Sequence, residues 1–197
     1  MRCWTRKSTL SLHNQIMFQK IYIDLDGVLA DFFSEWKNIT GKNWWELDNN
    51  LLAIQKIRNE KNFWLNLSLL NNSLNLLKIL KDNNQSYNIL SSPLQNDQKC
   101  INQKKQWVKN MLTFYPPQKV IISSEKEKYA KDNQGLPNVL IDDFGINIIK
   151  WEKNGGIGIK HKDYKFTRTK EKLLELIDLK YQNIQRQNFC IKSQAPY

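Results

Sequence analysis

The chain has 197 residues, 41% of them hydrophobic and 11% aromatic, enough to bury a real core. At ~100–200 residues per domain it has room for one domain with an inserted subdomain, not for two full ones. Lys+Arg 30 against Asp+Glu 19 leaves a formal charge of +11, so phosphate-bearing partners are plausible, from nucleotides to nucleic acid, and charge alone does not choose among them. Mean hydropathy is −0.61 and no apolar run approaches the ~20 residues that a bilayer span needs, which excludes a membrane-crossing helix. Cys3, Cys100 and Cys190 lie far apart, and there are only two histidines. That pattern suggests neither zinc nor a disulfide framework and fits a reducing cytoplasm.

The first 18 residues carry Arg2, Arg6 and Lys7 with no acid and read as a loose basic leader, disordered or peripheral. Ile21 to Asp26 is β-branched and aromatic and breaks at Gly27, the pattern of a buried parallel strand ending in a turn with two acids at its carboxyl end. From residue 32 to residue 83 the spacing turns helical and dense in aromatics (Phe32, Phe33, Trp36, Trp44, Trp45, Phe63, Trp64), which predicts a small helical insertion. Within it, Ser73 is expected to N-cap a helix carrying Leu74, Leu76, Leu77 and Leu80. A second strand starts at Tyr87 and ends at Ser91-Ser92-Pro93. Gln103 to Phe114 reads as a helix, stopped by Pro116-Pro117 before a third strand at Val120–Ile122. Lys126 and Lys128 follow. Asn138–Ile141 is a fourth strand ending at Asp142-Asp143, and Ile157–Ile159 a fifth. His161 behind it reads as a surface residue. A last helix holds Leu173, Leu174, Leu176 and Ile177, and residues 181–197 read as a tail.

Strands alternating with helices predict an α/β core, residues 19–31 and 84–180, with a parallel sheet flanked by helices and right-handed crossovers. In such sheets ligands collect beyond the carboxyl ends of the strands, where each polar cluster falls. Asp24, Asp26 and Asp142 crowded there would repel one another unless a cation compensated, and an oxygen-only donor set suits Mg²⁺.

Asp24-Leu25-Asp26-Gly27-Val28-Leu29-Ala30-Asp31 resembles motif I of the haloacid dehalogenase (HAD) superfamily of phosphotransferases. Ser91 resembles its motif II, Lys126 its motif III and Asp142-Asp143 its motif IV. The resemblance covers about residues 20–161 and implies a Rossmann-like HAD core with a helical cap inserted between strand 1 and motif II. It implies that Asp24 is the nucleophile and Asp26 the general acid and base. Mg²⁺ would be held by Asp24, the backbone carbonyl of Asp26 and Asp142. Ser91, Ser92 and Lys126 would bind phosphate, and Asp143 would orient Lys126 or a metal-bound water. Lys128 stands in reserve for motif III, and Ser92 equally well starts the Pro93 turn. Asp31 either lines the pocket or, more plainly, caps the first cap helix.

Gly27 to Phe32, Asn62 to Leu67, Leu90 to Leu94 and Ile141 to Asp143 further resemble the 5′(3′)-deoxyribonucleotidases. That implies a phosphatase of small-molecule (deoxy)nucleoside monophosphates in nucleotide metabolism. Phe33, Trp36, Phe63 and Trp64 are the candidates to surround a base, against the plainer reading that large aromatics are the core of a small cap. Two alternatives stay open. One is a HAD phosphatase acting on nucleic-acid ends or another phosphate ester; the other is a catalytically silent protein that binds nucleotides or nucleic acid.

Overall fold

In a computed structural model of the chain, residues 17–46 and 51–193 are described. The basic leader up to residue 16, Cys3 within it, the Cys190 side chain and residues 194–197 lie outside the described residues. The core is a five-stranded, all-parallel sheet in the order β3-β2-β1-β4-β5. Its strands are β1 (Ile21–Ile23), β2 (Tyr87–Ser91), β3 (Val120–Ile122), β4 (Val139–Asp142) and β5 (Ile157–Lys160). The three central strands are buried along their whole length, as strands of a parallel sheet are when helices cover both faces. The edge strands β3 and β5 are only partly buried.

Helices α1 (Phe32–Thr40), α2 (Leu51–Asn59) and α3 (Ser73–Asp82) separate β1 from β2. Asp31 caps α1, accepting from the Ser34 N–H at 3.2 Å, and Gly41 ends it at φ +78° with its N–H on the Lys37 carbonyl. The insertion leaves and returns through a narrow neck: Asp31 donates to the Ser68 carbonyl at 2.8 Å and Leu70 to the Leu29 carbonyl at 2.9 Å. Helix α3 follows that neck. Its first residue, Ser73, is not the N-cap. Asn72 holds that position without a side-chain capping bond, and the Ser73 hydroxyl donates instead to the Leu29 carbonyl at 2.7 Å, tying the helix to the loop after β1.

Helix α4 (Gln98–Met111) joins β2 to β3, and α5 (Gly145–Lys153) joins β4 to β5. Helix α4 starts five residues before the predicted Gln103, because Asp97 accepts from the Cys100 N–H at 2.9 Å and supplies the cap. Helix α6 (Phe166–Ser193) runs without interruption past residue 181, where the sequence suggests a tail. Phe18, assigned to the leader, is 1% exposed and belongs to the core. His161 is not a surface residue: it is 1% exposed and its Nδ1 pairs with the Thr169 hydroxyl at 3.1 Å.

Candidate active site

Chain order reverses direction in the sheet between β1 and β4, and parallel register does the rest. Ile23 lies opposite Ile141, so the next residues, Asp24 and Asp142, emerge side by side at the carboxyl end of the sheet. This is the crevice where doubly wound sheets bind ligands. Ile23 also pairs with Ile89 of β2, which puts Ser91 two residues further along the neighbouring strand. The chain after Asp24 turns back tightly, with the Leu29 and Ala30 N–H groups both on the Leu25 carbonyl at 2.9 and 2.8 Å. Gly27 makes that turn at φ +74°, and a Cβ there would lie 2.7 Å from both the Asp143 carboxyl and the Phe33 ring. The glycine is needed for conformation and for space.

Asp24, Asp142 and Asp143 each present an oxygen within 4.8 Å of the others, and all three are buried. A buried, all-carboxylate set of this kind fits a hard cation such as Mg²⁺. Asp143, expected only to support the site, is one of the three. The Asp26 carboxylate is not one of the three. Lys126, 1% exposed on a short 3-10 turn after β3, reaches between the acids, 2.8 Å from Asp24 Oδ2 and 2.7 Å from Asp142 Oδ2. Burial pulls its ammonium down, but Asp24 and Asp142 outweigh that and hold its pKa above the usual lysine value. Lys128, the reserve for this position, points away and pairs with Glu125 at 2.5 Å. Asp142 also accepts from the Phe144 N–H at 2.8 Å and the Asn147 amide at 2.9 Å.

One lysine among three acids leaves the cluster short of positive charge. Burial, then the charge of Asp24, raises the Asp142 pKa, with Lys126 opposing. Burial, followed by Asp24 and Asp142, pushes Asp143 up to about 7; Lys162, 3.9 Å away, only partly compensates. Without metal, the folded protein therefore keeps a proton on Asp143 that the unfolded chain has already lost. Stability falls as pH rises through 7. His161, whose pKa burial lowers from 6.5, acts in the opposite sense only below that value. Between pH 6.5 and 8 in EDTA the protein should lose ~1 kcal/mol, a few degrees in melting temperature. Stabilisation by Mg²⁺ should grow over the same interval, since metal and proton compete for the carboxylates. A melting temperature that rises across this window in EDTA would show that the acids are not crowded as described.

Over the acids lies a cavity of about 280 Å³ lined by Asp24, Asp26, Ser92, Asp143 and, mostly from the insertion, aromatic and aliphatic side chains. Of the four aromatic candidates, Phe33, Trp36 and Trp64 line it. Phe63 does not; it is 2% exposed behind the wall, edge-on to Trp64 with ring centres 4.8 Å apart. Phe32, Trp44, Phe144 and Asn147, outside those four candidates, line it as well. The rings also pack on one another, Phe32 stacking on Trp64 at 5.6 Å and Trp36 meeting Trp44 edge-on at 4.6 Å. Wall and insertion core are thus the same residues. The Trp36 indole N–H is buried and has no hydrogen-bond partner among the described residues.

Helix α4 latches the insertion to the sheet. Lys99 donates to the carbonyls of Arg58 and Glu60, Gln103 to that of Lys61 and the Trp107 indole to that of Leu67. The same helix delivers Lys104, 2% exposed, to Asp26. Lys104, absent from the residues expected at the site, falls on the stripe Cys100, Lys104, Trp107, Val108 that α4 buries. A lysine in an apolar stripe is a readable signal.

No protein-family model matches the chain, and no curated protein matches it. Among solved structures it is similar to a hydrolase from Streptococcus pneumoniae TIGR4 (15% identity over 74% of this chain and 93% of that one, TM-score 0.43). It is also similar to a HAD family enzyme from Bacteroides thetaiotaomicron in complex with magnesium and inorganic phosphate (19% identity, 74% and 95%, TM-score 0.45). A third is a putative beta-phosphoglucomutase from Thermotoga maritima (13% identity, 71% and 82%, TM-score 0.43). Among the described residues no helix is long and apolar enough to cross a membrane.

Proposed function

We propose that the protein is a HAD-type, Mg²⁺-dependent phosphomonoester hydrolase that acts on nucleoside monophosphates, deoxyribonucleotides above all, through an aspartyl-phosphate. The observation that carries this reading is the junction of Asp24, Asp142, Asp143 and Lys126 beside a cavity that Asp24 and Asp143 line and aromatic rings wall. An oxygen of Asp24 attacks phosphorus and the ester P–O bond breaks, its electron pair staying on the leaving oxygen. Asp26 gives that oxygen a proton. Water then attacks the phosphorus, Asp26 takes back a proton, and the bond to Asp24 breaks to release phosphate and restore the carboxylate. Burial, opposed mainly by Lys104, raises the Asp26 pKa, the direction a proton donor requires. Lys126 stands next to Asp24, where it would meet charge growing on the phosphoryl oxygens. Bound at Asp24, Asp142 and Asp143, with the Asp26 carbonyl as a further donor, Mg²⁺ would offset the repulsion between nucleophile and phosphate.

The aromatic wall supports a base as the remainder of the substrate, since stacking contributes ~1–3 kcal/mol per base. Phosphate release measured across nucleoside monophosphates, phosphorylated oligonucleotides and sugar phosphates tests the proposal. Nucleoside monophosphates should be the best substrates, and EDTA should abolish release until Mg²⁺ is added back. Preference for oligonucleotides or sugar phosphates would overturn the substrate, activity persisting in EDTA the metal, and no release from any ester the phosphatase reading itself.

A further inference from the structure

Among the described residues, Lys104 is one of two lysines almost wholly enclosed at the carboxyl end of the sheet, and the chemistry above assigns it nothing. Its ammonium has three donors and three acceptors within reach: Asp26 Oδ2 at 2.6 Å, the Ser92 carbonyl at 2.7 Å and the Ser91 hydroxyl at 3.1 Å. It also lies 4.5 Å from the centre of the Trp64 ring, so an aromatic residue of the insertion bounds its fourth side. Such a group is held from every direction and has little freedom to turn.

Two consequences follow for its partners. Lys104 takes one oxygen of Asp26, while the other, Oδ1, is buried and without a hydrogen-bond partner among the described residues. The ion pair therefore sets the orientation of the carboxyl beside the cavity that Asp26 lines. At Ser91 the hydroxyl accepts from Lys104, so its own proton is directed elsewhere and is available to an anion.

We propose that Lys104 is a positioning residue of this site: it fixes the side chain of Asp26 beside the cavity so that its carboxyl meets the ester oxygen of the substrate, and it leaves the proton of the Ser91 hydroxyl free to donate. This rests on the phosphatase reading, with the proton moving from Asp26 to the leaving oxygen as the P–O bond breaks. A residue that acts through the general acid matters most where the leaving group most needs a proton.

The test uses the full chain with Mg²⁺ and a series of phosphate esters running from p-nitrophenyl phosphate, through phenyl phosphate, to benzyl phosphate. Their kcat/KM values report transfer of the phosphoryl group to Asp24. Lys104→Met should lower kcat/KM on benzyl phosphate by ~10²–10⁴-fold, the usual weight of general-acid help, and on p-nitrophenyl phosphate by less than tenfold. Lys104→Arg should recover part of the loss on benzyl phosphate. In an Asp26→Asn background, Lys104→Met should add no further dependence on the leaving group. Lys104→Gln, which keeps a donor, carries the same comparison should the methionine variant not fold. Equal losses along the series, or a leaving-group effect that survives without Asp26, would overturn the proposal. A wild-type protein inactive on every ester would instead overturn the phosphatase reading beneath it.

Discussion

Asp24→Asn should reduce phosphate release by at least about three orders of magnitude while leaving the protein folded. The substitution preserves volume but replaces a carboxylate with an amide that does not attack phosphorus, and removing a covalent nucleophile characteristically costs that much or more. It should not destabilise the metal-free protein. Asp24 and Asp142 share Lys126, and the charge of Asp24 helps to raise the pKa of both Asp142 and Asp143. Neutralising it relieves repulsion, and Lys126 keeps Asp142 at 2.7 Å. In EDTA the variant should melt at or above the wild-type temperature and should lose part of its response to Mg²⁺. Unchanged turnover would remove Asp24 from the chemistry. A large fall in melting temperature would show that its charge holds the fold together.

Lys126→Met makes the opposite demand. The lysine is 1% exposed and bridges Asp24 and Asp142; without it, two buried carboxylates face Asp143 with no compensating ammonium. Breaking a buried pair by removing one partner costs ~3–5 kcal/mol, which in a chain of this length is roughly 6–20 °C of melting temperature. The loss should be largest in EDTA and should shrink at millimolar Mg²⁺, because a cation that binds only the folded state returns stability by mass action. Turnover should fall even where the fold is rescued, since the group beside Asp24 that meets phosphoryl charge is gone. If the variant melts within about a degree of wild type in EDTA, the acids do not depend on Lys126. If Mg²⁺ gives it no more stability than it gives wild type, the carboxylates are not a cation site. The circular dichroism melts and the phosphate-release rates separate these outcomes.

The strands and the acids at their ends were legible because both signals are local. Ile21 to Ile23 and Val139 to Ile141 are short apolar runs broken by acids, and a buried parallel strand has few other ways to be written. The Asp31 cap was legible for the same reason, its acceptor lying three residues from its donor. Less legible was which side chains of the insertion face inward to a cavity and which face inward to one another. Phe63 and Trp64 are neighbours in the chain, yet only Trp64 borders the cavity. His161 resembled any polar residue after an edge strand until α6 folded over it and Thr169 met its ring.

From the sequence alone came an α/β chain with five strands, and acids, a serine and a lysine placed at the strand ends, because apolar periodicity and the residues that break it depend on neighbours a few positions apart. Tertiary structure decided that Asp24 and Asp142 stand side by side, that Asp143 joins them and that Lys104 enters beside Asp26. These depend on sheet order and on the way helix α4 packs. Contacts between residues 78 or 118 positions apart are set by the free energy of the whole core, which no local pattern carries.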